Sequence, residues 1–178
     1  MEINVSQLIK SPVGTTKDYA LDDVVDITEA GVESQVKGEV KLIRTNRSVL
    51  VKGTLRTELK LGCNRCLKPF TQKLNLRIEE EYFPTIDVVT GVPVELPDEP
   101  DLFTIDEHHI LSLVEAVRQY ALLAIPMKPL CRKNCRGLCP VCGKNLNAGS
   151  CTCVKVVDPR WAGLAKLASA MKTEDRTR

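Results

Sequence analysis

Between residues 36 and 61 the chain alternates with a period of two. Val36, Gly38, Val40 and Leu42 take turns with Lys37, Glu39 and Lys41. After the polar stretch Thr45-Asn46-Arg47-Ser48 the alternation resumes as Val49, Val51, Leu55, Leu59 and Leu61, set against Lys52, Arg56 and Lys60. Residues two apart on a strand share a face, so the pattern predicts a β-hairpin with one greasy face and one basic face. Leu74, Leu76, Ile78 and Tyr82 continue the alternation as a third strand. Residues 84–105, punctuated by Pro84, Pro93, Pro97 and Pro100, read as an extended acidic loop holding at most one short strand. Thr104 and Glu107 then have the spacing of a capping box. Ile110, Leu113, Val114, Val117, Tyr120, Ala121 and Ala124 recur at helical spacing until Pro126, which predicts the main helix with its apolar stripe on the sheet. Asp158 as N-cap and Pro159 at the first helical position predict a short C-terminal helix with Trp161, Leu164, Ala168 and Met171 on one face. The fold class expected is α+β: an antiparallel β-sheet packed by one main helix, with a cysteine-rich region and a short C-terminal helix. The divisions are a core at residues 1–127, an appendage at 128–171 and a frayed tail at 172–178.

Composition changes this picture little. The 178 residues suit one domain with a small appendage, and aromatics at 4% leave the core to Val, Leu and Ile. The opening MEINVSQLIKSPVG has no basic n-region followed by a long apolar run, and YALLAIPM is far short of the roughly 18 apolar residues that span a bilayer. The expectation is a cytoplasmic protein with no membrane partner.

Charge adds more. The net charge of +2 is spread in blocks: +9 over residues 37–77, −10 over 78–109 and +8 over 128–178. All eight cysteines fall in the two basic blocks, and cations gathered on a rigid framework suit a polyanionic partner.

The cysteines are Cys63, Cys66, Cys131, Cys135, Cys139, Cys142, Cys151 and Cys153. In a reducing compartment close pairs of cysteines point to metal before disulfides. A CxxC turn suits zinc because two thiolates leave one tight loop at an angle fit for a tetrahedral ion. In CPVCG at 139–143, Pro140 fixes one dihedral and Gly143 permits positive φ just past the second ligand. Cys139, Cys142, Cys151 and Cys153 are joined by a short polar loop whose closure costs little entropy, so the preferred reading is one zinc there and a second held by Cys63, Cys66, Cys131 and Cys135. The other pairing, Cys63 and Cys66 with Cys139 and Cys142, stays open, as do an iron–sulfur centre and four disulfides. A thioredoxin-like role would need the CxxC at a helix N-terminus, whereas a strand precedes CNRC and a glycine follows CPVC. Catalysis finds no support: there is no Gly-rich phosphate loop, no HExxH and no nucleophile elbow. The two histidines, His108 and His109, are adjacent and read as surface residues in the first turn of the main helix. Four thiolates close a zinc coordination sphere and leave no position for substrate.

The series CNRC, PLCRKNCRGLCPVCGKNLNAGSCTC and DPRWAGLAKL resembles the YceD-like family of large ribosomal RNA subunit accumulation proteins. The likeness runs from roughly residue 20 to residue 168, and its most specific parts are GLCPVCGKNLN at 137–147, CTC at 151–153 and DPRW at 158–161. The resemblance implies a non-enzymatic factor needed for accumulation or processing of large-subunit (23S) ribosomal RNA, with that RNA or its precursor as partner. Members differ in how many of these cysteines they carry, and this chain has the fuller set. Residue chemistry and resemblance meet at the cations: Arg65, Lys68 and Lys73 around the first pair, then Arg132, Lys133, Arg136, Lys144, Lys155 and Arg160 around the rest. They are expected to form one zinc-organised surface that grips RNA phosphates, since aromatics for base stacking are scarce. The rival expectation is an adaptor whose acidic stretch Glu79–Glu107 docks a ribosomal protein or a ribonuclease without touching RNA. A DNA-binding regulator fits less well, because no recognition helix rich in Arg and Asn follows the knuckle.

Overall fold

The alternation at residues 36–82 folds as three long strands. In the computed structural model, which describes residues 1–28, 33–98, 100–154, 159–161 and 163–164, they are β3 (Glu33–Arg44), β4 (Val49–Gly62) and β5 (Pro69–Pro84). The polar tetrad forms the first hairpin turn, where the Thr45 hydroxyl accepts from the Ser48 amide. The register pairs Val36 with Thr57, Leu42 with Val51 and Leu55 with Leu76. One face is therefore continuous and apolar: Val36, Val40, Leu42, Val51, Leu55, Leu76 and Ile78 are all buried. Gly38 sits on that face because β4 passes too close for a side chain. A Cβ there would lie 2.2 Å from the Thr54 carbonyl oxygen.

The other face is less basic than the hairpin alone suggests. Residues 1–26, for which the periodicity predicts no element, supply β1 (Glu2–Asn4), α1 (Ser6–Lys10) and β2 (Thr16–Asp26). Strand β2 lies antiparallel to β3 and brings carboxylates opposite its lysines: Asp22 meets Lys37 at 3.0 Å and Asp18 meets Lys41 at 3.6 Å. From β5, Glu79 meets Lys52 at 2.6 Å. Cross-strand pairing of opposite charges is the sheet's ordinary means of keeping such a face in water, and it offsets Lys37, Lys41 and Lys52 of the stripe.

The main helix starts later than the capping box predicts. Thr104 lies in β6 (Phe103–Ile105) and Ile110 in β7 (Ile110–Ser112), so α2 runs only from Val114 to Ala124. Between the two short strands the Asp106 carboxylate accepts from the amides of His108 and Ile110, and His109 adopts φ 61°. An aspartate that bonds the backbone ahead of it offers an alternative to a helical turn. The pairing of β7 with β1, Leu111 against Ile3, then overrides the helical period. His108 and His109 thus occupy a strand-to-strand turn. Of the predicted stripe, Leu113, Val117 and Ala121 are buried together with Ala116, whereas Val114 and Ala124 face outward. Tyr120 is half-buried, and its hydroxyl donates to the Glu80 carboxylate.

The whole is one seven-stranded sheet in the order β1-β7-β6-β5-β4-β3-β2, antiparallel except for the β5–β6 pair. The expected antiparallel sheet with a packed helix is present, with a parallel pair added and little helix. The parallel pair needs a crossover, and residues 85–102 of the acidic loop provide it. No described helix is long and apolar enough to cross a membrane. Near the C-terminus Pro159–Trp161 form a single 3₁₀ turn with Trp161 exposed. Asp158, Ala168, Met171 and the tail at 172–178 lie outside the described residues. The chain divides into two compact units, Met1–Asn64 with Lys68–Cys131, and Arg65–Leu67 with the segment from Arg132 onward.

Candidate metal centres

The hexapeptides CNRCLK and CPVCGK close the same kind of loop. Gly62 pairs with Pro69 and Leu138 with Asn145, one residue outside each hexapeptide. Inside, the Cys63 amide donates to the Lys68 carbonyl at 3.0 Å and the Cys139 amide donates to the Lys144 carbonyl at 2.8 Å. Both loops turn through the left-handed region at the residue after the second cysteine: Leu67 at φ 58° and Gly143 at φ 70°. Each is a knuckle with two sulfurs on one side. A strand or a bridge follows each, so neither thiol pair sits at a helix N-terminus, the setting that activates redox cysteines.

The sulfurs fall into two sets of four. Cys63, Cys66, Cys131 and Cys135 form one and Cys139, Cys142, Cys151 and Cys153 the other; within each set the ligand atoms lie within 4.8 Å of one another. The structure does not bring Cys63 and Cys66 to Cys139 and Cys142, and no disulfide joins any of the eight. A tetrahedral ion bound at about 2.3 Å by four sulfurs sets them about 3.8 Å apart, so each set closes on such an ion with small adjustments. Four soft sulfur donors without oxygen or nitrogen suit zinc or iron and disfavour magnesium or calcium.

Local hydrogen bonds place the donors. The Val141 amide donates to Cys139 Sγ at 3.4 Å, and Asn147 Nδ2 donates to Cys135 Sγ at 3.3 Å. The amides of Cys142 and Val141 hold the Cys139 thiol down at about 6, while hydrogen bonding to Cys142 and then burial push Cys153 up to about 12. Cys139 therefore ionises ahead of Cys153. The first knuckle is positioned through its backbone: the Asn64 amide donates to the Pro129 carbonyl, and the Leu138 amide donates to the Arg65 carbonyl. Gly137, at φ 75°, permits the latter approach, since a Cβ there would lie 2.9 Å from the Arg65 oxygen.

The cations named from sequence divide by what they do. Arg65 donates from Nη1 to the Cys135 carbonyl, and Lys144 donates from Nζ to the Ser150 carbonyl, so both brace cysteine loops. Lys73 pairs with Glu58 at 3.5 Å. Arg132 donates to Asn147 Oδ1. Lys68, Lys133 and Arg136 extend exposed side chains with no partner among the described residues. Arg160 stands exposed in the 3₁₀ turn, and Lys155 lies outside the described residues. Asn147, which touches both a ligand sulfur and an arginine, was not among the sequence candidates. Its place within GLCPVCGKNLN was the only signal.

Comparison with known proteins places the chain in a family. An uncharacterized protein of Mycobacterium tuberculosis is 29% identical over 129 residues, covering 72% of this chain and 60% of the relative. Two plant proteins, each named large ribosomal RNA subunit accumulation protein YCED homolog 1, chloroplastic, also match. The one from Zea mays is 29% identical over 72% of this chain and 52% of its own length; the one from Arabidopsis thaliana is 26% identical over 86% and 54%. The chain thus spans a little over half the length of the relatives it matches. No solved structure matches it. The model of the family described as large ribosomal RNA subunit accumulation protein YceD matches residues 51–168, from β4 through both cysteine sets, and the chain belongs to that family.

Proposed function

We propose that this chain is a non-enzymatic ribosome-biogenesis factor that supports accumulation or processing of large-subunit (23S) ribosomal RNA. It binds two zinc ions and contacts the RNA through cations set among the cysteines. The observation that carries the reading is the interleaving of Arg132, Lys133, Arg136 and Lys144 with two sulfur sets that each fit a tetrahedral ion. Structural zinc fixes a loop that has too little apolar surface to fold alone, and cations on such a loop present a fixed charge pattern to phosphates. The zinc supplies folding energy and no reaction step. Family membership and the names of the plant relatives support the ribosomal assignment. Thiolate ligands require a compartment that keeps cysteines reduced, in keeping with a cytoplasmic or plastid-like setting.

The test is metal analysis of the purified protein together with crosslinking and RNA sequencing from cells. Two zinc ions per chain and enrichment of large-subunit RNA are expected; recovery of messenger or transfer RNA without ribosomal enrichment overturns the reading. Replacing Arg132, Lys133 and Arg136 together by Ala lowers RNA affinity and flattens its salt dependence, because three phosphate contacts and their released counterions are lost. The adaptor reading has one observation of its own. On the acidic crossover Val89 is 81% exposed and Val92 58% exposed, an apolar edge among carboxylates that suits a basic protein partner. Purified protein that binds ribosomal RNA only in the presence of such a partner favours that reading instead.

A further inference from the structure

Asn147 stands between a metal ligand and an arginine, and every hydrogen-bonding position of its amide is used. Nδ2 donates to Cys135 Sγ at 3.3 Å and to Asn145 Oδ1 at 3.0 Å; Oδ1 accepts from Arg132 Nη2 at 2.6 Å and from the Arg136 amide at 2.9 Å. An asparagine offers two donors and one acceptor oxygen with two lone pairs, so the side chain is locked. Its orientation follows from chemistry: a thiolate sulfur only accepts, which turns the NH₂ group toward Cys135 and the oxygen toward the guanidinium.

Beside this junction Arg132, Asn134, Arg136, Leu146 and Asn147 line a hollow of about 310 Å³. No carboxylate lines it among the described residues. Arg132 has committed a single N–H to Asn147, while the Arg136 guanidinium and the Asn134 amide have no partner among the described residues. A hollow rich in donors and without acidic groups is complementary to an anion. Its volume is at the small end of ligand sites, which run roughly 300–1,000 Å³, and Leu146 gives it one apolar wall.

We infer that the hollow takes one nucleotide of single-stranded RNA, its phosphate between Arg132 and Arg136 and its base edge on Asn134 over Leu146, and that Asn147 is the positioning residue linking this grip to the metal held through Cys135. The inference rests on the RNA-binding reading and deepens it. Metal loading and RNA affinity are coupled through a residue that ligates neither: with Cys135 fixed by the ion, Asn147 fixes Arg132, and a pre-set guanidinium loses less entropy on meeting phosphate.

The experiment measures zinc content and binding of the full chain to a short single-stranded oligoribonucleotide of large-subunit sequence, across a salt series, for wild type, Asn147→Ala, Arg132→Ala and the double variant. Asn147→Ala is expected to keep both metals, weaken binding about tenfold and reduce the salt slope by about one, as Arg132→Ala does. The double variant should be no worse than Arg132→Ala, because the two act as a unit. Additive losses, or full affinity in Asn147→Ala, overturn the inference. If Asn147→Ala loses a metal, Arg132→Lys becomes the test: it keeps both metals and the charge but lacks the fork, and unchanged affinity there overturns the inference equally. Wild type that binds no RNA at all overturns the reading beneath; wild type that binds while these variants bind as tightly overturns only the hollow.

Discussion

The two knuckles are the same loop on different foundations. CNRCLK closes the end of the β4–β5 hairpin, whose register runs through fourteen pairs from Val49–Tyr82 to Gly62–Pro69. CPVCGK is flanked by the single bridge Leu138–Asn145. The first loop inherits its geometry from a sheet that buries Leu55, Leu59, Leu74 and Leu76, each apolar side chain contributing on the order of 1.5–3 kcal/mol. The second has little but its own hydrogen bonds and its sulfurs. A ligand set on a sheet is pre-formed, whereas one on an isolated loop is completed by the ion.

The largest test of this difference is removal of each pair. Cys139→Ser with Cys142→Ser is expected to lower zinc content by one per chain and to abolish amide protection over residues 138–153. What is lost there is the ion's folding free energy, about 10–16 kcal/mol for isolated structural sites. Cys63→Ser with Cys66→Ser is expected to lower zinc content equally but to leave the β4–β5 ladder protected. Hydrogen exchange that reports the same collapse for both pairs breaks the comparison.

Next in size is Gly137→Val, which forces a branched side chain into the left-handed region and against the Arg65 carbonyl. A loss of at least ~2 kcal/mol is expected, read as a lowered denaturation midpoint with faster exchange at Leu138. Smaller still are the residues after each second cysteine. Gly143→Ala should cost about 1 kcal/mol, whereas Leu67→Gly should stabilise or be neutral, because it relieves φ 58° at the cost of a more flexible unfolded chain. Chemical denaturation of both variants gives the sign; a stabilised Gly143→Ala contradicts the shared geometry. The subtlest test concerns charge within the second set. In the folded loop the Cys142 and Val141 amides hold the Cys139 thiol down at about 6, whereas Cys153 is pushed up to about 12, and zinc release on acidification, followed with a colorimetric indicator, is the measurement. Because the Cys139 value is lowered, its thiolate is favoured above that value and lost as pH falls through it. Metal should accordingly be released as the solution is acidified.

What the sequence revealed follows from the range of the interactions involved. The β3–β5 strands were legible because a half-buried strand writes its faces at period two, and the knuckles because ligand spacing is local. Strand β2 was harder: Tyr19, Leu21 and Val25 alternate, but Asp23 interrupts the inner face. Strands β1 and β7, three residues each, are too short to show a period, and Ile110 fits a helix as well as a strand. Asn147 could not be read from pattern, because its role depends on contacts 12 and 15 residues back in the chain. The hairpin's basic face was visible, but two of the three carboxylates that offset it, Asp18 and Asp22, come from a strand the pattern did not announce.

The order of the strands carries one more consequence. Both edges of the sheet, β1 and β2, come from the first 26 residues, while the partner of β1 begins only at Ile110 and ends at Ser112. On a ribosome the earliest-made strand must therefore wait for more than a hundred further residues before it can dock, whereas β2, β3 and β4 can pair as each emerges. Distant pairings of this kind slow folding, and open edges attract other chains while they wait. A chain cut anywhere before Ser112 would leave the nascent sheet with an unprotected border.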